Sequence, residues 1–128
     1  RKEFLQRRLA LTEGEKFALN QQLYHHFFAH FDLSFINIFH LFLSIEEKNE
    51  PDTWSLLDRI RREFPRVRVV LPRINTDATL SHIFYEGLHQ LKTNSWGIAE
   101  PQQGVPAEEL SIDAVLVPLL ACDQNGNR

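Results

Sequence analysis

Residues 110–128 read Leu-Ser-Ile-Asp-Ala-Val-Leu-Val-Pro-Leu-Leu-Ala-Cys-Asp-Gln-Asn-Gly-Asn-Arg. The aliphatic run from Ile112 to Leu120 is rich in β-branched residues, which favours a strand buried on both faces. The six residues from Asp123 to Arg128 that follow are typical of a turn. Because open α/β sheets bind ligands where buried strands end in polar loops, this segment predicts an α/β fold with a site beside the turn.

Two earlier apolar runs, Phe35–Ile45 and Val67–Leu71, predict further buried strands. A helix between them begins at Asp52 or Thr53 and ends before Pro65. Its apolar residues recur at helical spacing: Trp54, Leu57, Ile60 and Phe64. The order strand, helix, strand predicts a parallel βαβ unit.

The remaining segments complete the predicted fold. Residues 1–11 predict a short charged helix, and a capping box at Thr12 and Glu15 begins a second helix that runs to about Phe31. That helix is expected to cover the sheet with one wide apolar face, made of Phe17, Leu23, Tyr24, Phe27, Phe28 and Phe31. Residues 80–86 predict another strand, and residues 87–107 are expected to be mostly irregular. The fold class is α/β: one three-layer α/β/α domain over residues 1–128, with a mostly parallel, mixed and Rossmann-like open sheet.

Composition narrows the function classes. The 128 residues are 43% hydrophobic and 24% charged, as in soluble globular domains. The formal net charge of −3 argues against a general nucleic-acid-binding protein. No apolar run is long enough to span a bilayer, and a single cysteine excludes an internal disulfide framework. We therefore expect a cytoplasmic protein that binds neither membrane nor nucleic acid.

Three loops are expected to meet at one edge of the sheet, because the carboxyl ends of parallel strands lie together. They are residues 46–52, Pro72-Arg73 and residues 122–128. Acids, arginines and a glycine turn at one edge suit an anionic ligand accompanied by a cation or a transferable proton. Glu50 is the most prominent acid, since Pro51 stiffens the backbone beside it. A solvated acidic turn before a helix is the simpler alternative.

Other reactive side chains have plainer explanations. His26 and His30 share a helical face but lack a third ligand at metal-binding spacing, so aromatic packing is favoured over a metal site. Cys122 has no glycine elbow and is interpreted as a small packing residue. Trp96 either stacks on a planar ligand or packs against the core, and the second is commoner.

Five segments, in order, resemble the 5-formyltetrahydrofolate cyclo-ligase family. They are Arg1-Lys2-Glu3 with Arg7–Leu11, Phe42-Leu43-Ser44 followed by Glu50–Thr53, Leu71-Pro72-Arg73, Trp96–Pro101, and Asp113–Pro118 followed by Asp123–Arg128. The resemblance spans the chain but has departures: Pro51 replaces a usual Val, Leu119 a Gly and Cys122 a Phe. The family's glycine- and tyrosine-rich stretch, which wraps the ATP phosphates, would follow Arg128. The domain is therefore expected to lack its C-terminal part, and a molecule ending at Arg128 is expected to be inactive.

The resemblance implies an ATP- and Mg²⁺-dependent ligase that converts 5-formyltetrahydrofolate to 5,10-methenyltetrahydrofolate. We expect the protein to be a monomer. The resemblance also implies that Glu50 is catalytic and holds the substrate, and Leu43, Trp96 and Arg73 are also expected at the substrate. The residues it implies for ATP are Arg1, Lys2, Asp123, Gly126 and Arg128.

Two other functions stay open from the sequence. One is a non-catalytic α/β module without the phosphate loop that merely holds a folate or a sugar phosphate. The other is an interaction domain that presents Phe27, Phe28 and Phe31.

Overall fold

A computed structural model describes residues 1–128. The helices are α1 (Lys2–Leu9), α2 (Glu13–His30) and α3 (Thr53–Glu63), and the strands are β1 (Ile38–His40), β2 (Arg68–Ile74), β3 (Leu80–Phe84), β4 (Leu91–Thr93), β5 (Ala99–Pro101) and β6 (Ala114–Val115). The predicted capping box is present at the start of α2, and Asp52 caps α3 through the Ser55 backbone N–H.

The main sheet has the strand order β3-β2-β1-β6. Strand β1 runs parallel to both β2 and β6, whereas β3 is antiparallel to β2. The connection β1-α3-β2 is therefore the predicted βαβ unit, and the α/β fold class with its mixed, mostly parallel sheet is confirmed.

The hydrophobic core lies between one face of this sheet and the helices α2 and α3. Its helical side chains are Phe27, Leu56, Leu57 and Ile60, and its sheet-side residues include Phe39, Leu41, Leu43, Val69 and Leu71. Because side chains alternate along a strand, His40 and its partner Val70 belong to the opposite face. After the β4–β5 hairpin, residues 105–112 connect the β3 edge of the sheet to β6 at the opposite edge. This segment begins beside β3, where the Phe84 N–H donates a hydrogen bond to the Val105 carbonyl.

The two long buried strands predicted from the sequence are shorter than expected. Only Ala114 and Val115 pair with β1, at the edge of the sheet, so the expectation of a strand over 112–120 buried on both faces is wrong. The Leu116 N–H makes the last ladder bond, to His40, and no strand covers the other side of β6. Similarly, pairing of β1 is confined to Ile38–His40, and Phe35 at the start of the predicted run is 83% exposed.

Two further features differ from the expected fold. Only Phe27 of the predicted wide face on α2 is buried, because the helix meets the sheet and α3 through its C-terminal half; Phe17, Leu23 and Phe31 are exposed. Residues 87–107 contain a feature that was not predicted, because β4 and β5 form an antiparallel hairpin there. In its turn the Asn94 side chain accepts from the Trp96 and Ile98 N–H groups.

Two carboxylates attach peripheral strands to the sheet. Asp113 accepts from the backbone N–H groups of Asn37 and Ile38, both at 2.9 Å, which joins β6 to β1. These bonds, that of Ile38 first, hold the pKa of Asp113 below its ordinary value. Glu100, 7% exposed, accepts from the Ile74 N–H at 3.0 Å and so fixes the hairpin to the carboxyl end of β2.

A pH dependence follows from His40 on the face opposite the core. Neither ring nitrogen has a hydrogen-bond partner, the ring packs 5.1 Å from that of His82, and His82 contacts Glu109 at 3.3 Å. Burial, followed by the neighbouring His82, lowers the pKa of His40 to about 4. The unfolded chain, with a His pKa of about 6.5, binds this proton more readily, so the stability contribution is complete above that pH and is lost as pH falls toward 4.

We expect acidification from pH 7 to pH 4.5 to cost the wild type about 1–2 kcal/mol more than it costs His40→Phe, a value reduced for partial solvent screening. Urea denaturation at both pH values measures the difference. His25→Phe, at an exposed position on α2, is the matched control and should follow the wild type. Equal acid losses in the wild type and in His40→Phe would contradict this account of His40.

Candidate functional site

Glu50 lies in the loop that follows β1 and leads into α3. The loop contains a 3₁₀ turn, Glu46–Lys48, and then Asn49 in the left-handed conformation with φ 50°. The Glu50 Oε2 atom accepts a hydrogen bond of 2.8 Å from the Ile45 N–H, while Oε1 has no hydrogen-bond partner in the chain. One carboxylate oxygen thus fixes the side chain, and the other is available to a ligand.

Asn49 ties this loop to both N-terminal helices. Its Nδ2 donates to the carbonyls of Arg8 and Leu9 at 3.2 Å and 3.5 Å, and its Oδ1 lies 3.4 Å from the Lys16 Nζ. The C-terminal end of α1 and the first turn of α2 therefore meet beside Glu50. Arg1 and Lys2 are at the other end of α1, roughly 12 Å along the helix axis for eight residues.

The Glu50 carboxylate borders a polar cavity of about 520 Å³, here named the Glu50 cavity. Its lining residues are Lys16, Asn20, Ser44, Glu46, Glu50, Asp52 and Trp54. Hydrogen bonds connect four of these residues in two pairs. The Asp52 N–H donates to the Asn20 Oδ1 at 3.1 Å, and the Trp54 indole N–H donates to the Ser44 carbonyl at 3.4 Å. The walls of the cavity are therefore positioned before any ligand binds, which favours recognition of a polar ligand.

A second cavity, of about 540 Å³ and mainly apolar, adjoins the first at Asp52. Its walls come from α2, from Phe42 with the Pro51–Thr53 segment, and from the chain after β6 at Leu116, Val117 and Leu119. The Glu50 loop and the segment leading to Asp123 thus face one space. The sequence predicted that residues 46–52, Pro72-Arg73 and residues 122–128 would meet as loops. Residues 116–119 are the part of the chain after β6 that lines this space, and Pro72 and Arg73 lie within β2 instead of in a loop.

Residues 123–128 form the predicted turn. The Asp123 carboxylate accepts from the Asn125 and Asn127 N–H groups at 2.9 Å and 2.8 Å and from the Asn127 side chain at 2.9 Å. These bonds, the one from the Asn127 side chain first, lower the pKa of Asp123. Gly126, with φ 80°, supplies the left-handed turn conformation. Neither Asp123 nor Arg128 makes a hydrogen bond or ion pair with the Glu50 loop. That they share one binding site with Glu50 stays a prediction.

The other residues expected at the substrate lie outside the Glu50 cavity. Leu43 is buried in the hydrophobic core, and Trp96 is 70% exposed at the tip of the β4–β5 hairpin. The Arg73 Nη1 donates to the Gln102 carbonyl at 3.2 Å. Their roles stay predictions.

Sequence reasoning missed Lys16, Asn20 and Trp54 as cavity residues. The four-residue spacing of Lys16 and Asn20, which places both on one side of α2, was the available signal. Of the phenylalanines considered for an interaction face, Phe27 is buried and Phe28 stacks on Phe64, so only Phe31 is exposed.

Two classes of feature are not found. The chain has no group of three or more His, Cys, Asp or Glu side chains that could hold a metal ion. None of its helices combines the length and the apolar character that crossing a membrane requires.

Comparison with known proteins gives a consistent result. The sequence profile of the 5-formyltetrahydrofolate cyclo-ligase family matches residues 1–128. The NMR structure of the Aquifex aeolicus 5,10-methenyltetrahydrofolate synthetase has a TM-score of 0.81 and 23% identity, covering 95% of this chain and 60% of that one. The 5,10-methenyltetrahydrofolate synthetase from Mycoplasma pneumoniae has a TM-score of 0.69 and 23% identity, covering 96% of this chain and 63% of that one. The chain therefore spans about three-fifths of the length of these structures. No curated protein matches significantly.

Proposed function

This chain belongs to the 5-formyltetrahydrofolate cyclo-ligase family, and we propose that the protein carrying it converts 5-formyltetrahydrofolate to 5,10-methenyltetrahydrofolate while ATP becomes ADP and phosphate. The observation that carries the proposal is the free Oε1 of Glu50 at a preformed polar cavity. Beside it lies a second cavity that the segment leading to Asp123 also lines.

The chemistry needs activation of a poor leaving group. The formyl oxygen is amide-like, so the γ-phosphoryl group of ATP moves to it: an O–P bond forms, the bond to ADP breaks, and ADP leaves. N10 of the folate then attacks the formyl carbon and loses its proton, the C–O bond breaks, and phosphate departs with the electron pair. Such a reaction depends mainly on positioning and charge neutralisation.

Glu50 is proposed to hold the reacting end of the folate and to assist proton removal from N10. Its Oε2 is fixed by the Ile45 N–H, so Oε1 has a defined position for this purpose. Trp96, exposed at the hairpin tip, is proposed to pack on the pterin. Arg73 and Leu43 are proposed to act at the substrate, Leu43 by lining its slot.

The nucleotide is proposed to bind between the start of α1 and the C-terminal turn. Arg1, Lys2 and Arg128 supply positive charge for phosphates, and Asp123 with Gly126 shapes the turn. Mg²⁺ usually takes only one or two protein carboxylates together with substrate phosphates, so the lack of a preformed acidic cage suits an ion that enters with ATP. When bound, it neutralises phosphate charge. We further propose that the protein acts as a monomer in the cytoplasm.

Mixing the whole protein with 5-formyltetrahydrofolate and Mg-ATP tests this function. We expect the absorbance of methenyltetrahydrofolate to appear together with one ADP per product, and only when ATP is present. Saturable folate binding without product would instead support the non-catalytic binding module.

A further inference from the structure

Lys16 is the one cation among the residues that line the Glu50 cavity, where three carboxylates are also present. Its side chain is only 17% exposed, although it begins on the first turn of a surface helix. The ammonium group lies 3.5 Å from a Glu13 carboxylate oxygen and 3.4 Å from the Asn49 Oδ1. Both contacts are long for charge-assisted hydrogen bonds, so the ammonium retains donor capacity for a ligand.

The position of this ammonium is set by the tertiary fold. Asn49 directs Oδ1 toward Lys16 because its Nδ2 is engaged by the carbonyls of Arg8 and Leu9 at the end of α1. Lys48, the next lysine along the chain, sits on the surface turn before Asn49, forms no ion pair and does not line the cavity. Lys16 is thus held at the cavity wall, whereas Lys48 is an ordinary solvated lysine.

The proposed reaction creates an electrostatic problem in this cavity. A formyl oxygen that carries a phosphoryl group brings negative charge close to Glu50, and Glu46 and Asp52 line the same space. Like charges at short range oppose one another strongly once water is displaced. A fixed positive charge at the cavity wall reduces that cost most when the negative charge is greatest.

We propose that Lys16 binds the phosphoryl oxygens on the activated formyl group, in the cavity where the Glu50 carboxylate holds the folate. This inference rests on the proposed function and adds a residue to it. Lysine suits the role because its ammonium is a compact point charge with three donors that follow a moving phosphoryl group. Because the unreacted formyl group is neutral, Lys16 contributes little to binding of the substrate before ATP acts.

The test compares Lys16→Gln, Lys16→Arg and Lys48→Gln in the whole protein. Two quantities are measured: the dissociation constant of 5-formyltetrahydrofolate without ATP, by calorimetry, and the single-turnover rate of methenyltetrahydrofolate formation with saturating Mg-ATP. Removing one positioned donor of this kind is expected to slow the chemical step about 100-fold. The affinity of Lys16→Gln for 5-formyltetrahydrofolate should stay within about threefold of wild type, because Lys16 is proposed to contact only the phosphorylated formyl group and not the unreacted substrate. Lys16→Arg should recover most of the rate, Lys48→Gln should match wild type, and circular dichroism checks that each variant is folded.

The outcomes separate the two proposals. If the wild type forms no methenyltetrahydrofolate, the proposed function fails and Lys16 loses its role with it. If the wild type is active and folded Lys16→Gln turns over at a similar rate, only the Lys16 inference fails. An equal loss of rate and substrate affinity, or a Lys16→Arg variant as slow as Lys16→Gln, also overturns it, because either result assigns Lys16 to ground-state binding or to local structure.

Discussion

Glu50→Gln is expected to lower the rate of cyclisation about 1000-fold or more while ATP affinity stays within about twofold of wild type. The substitution keeps the size of the side chain, and the amide oxygen can still accept the Ile45 N–H that fixes it. It removes the negative charge and the basic oxygen that face the cavity. We therefore expect the chemical step itself to slow, and the single-turnover rate of methenyltetrahydrofolate formation measures this loss.

Glu47→Gln is the matched control for this prediction. Glu47 is an exposed acid in the 3₁₀ turn of the same loop, and it does not line the Glu50 cavity. The Glu47→Gln variant should cyclise 5-formyltetrahydrofolate at the wild-type rate. Wild-type turnover by Glu50→Gln would remove Glu50 from the mechanism, and an equally large loss in Glu47→Gln would indicate that the charge of the loop, rather than one carboxylate, matters.

Leu71→Ala is expected to lower the free energy of unfolding by about 3 kcal/mol. Leu71 is 0% exposed in β2, which lies between β1 and β3, and it belongs to the core beneath α2 and α3. Truncation leaves a cavity that the surrounding sheet and helices cannot close. The midpoint and slope of urea denaturation measure the change.

Leu80→Ala provides the comparison for Leu71. Leu80 is a leucine of β3 that is largely exposed, so its truncation should cost less than about 0.5 kcal/mol. If Leu71→Ala and Leu80→Ala lost similar amounts, β2 would not be the centre of the core.

Local sequence signals predicted the elements whose structure is determined locally. The capping box at Thr12, the Asp52 cap of α3 and the turn after Cys122 all depend on residues within a few positions of each other. Strand lengths were not predicted, because an aliphatic run reads the same in the centre of a sheet as at its edge. The hairpin of β4 and β5 was missed because its strands are only three residues long and its turn depends on the Asn94 side chain.

Some residues of the candidate site could be predicted from the sequence, and others could not. The resemblance singled out Glu50, and the parallel order of β1 and β6 predicted that their following loops would approach each other. Lys16 was not found, since its contact with Asn49 spans 33 positions of sequence and depends on how α2 crosses the loop. The helical spacing places Lys16 and Asn20 on one side of α2, but it does not identify the loop that they contact.

Titration of ¹⁵N-labelled whole protein with 5-formyltetrahydrofolate tests most directly whether the folate occupies the Glu50 cavity. The Ile45 amide donates to Glu50, and the Trp54 indole N–H lies in the cavity wall. We predict saturable shifts of both signals, with the Phe64 amide at the far end of α3 unchanged. Saturable binding that leaves the Ile45 and Trp54 signals unmoved would contradict the account.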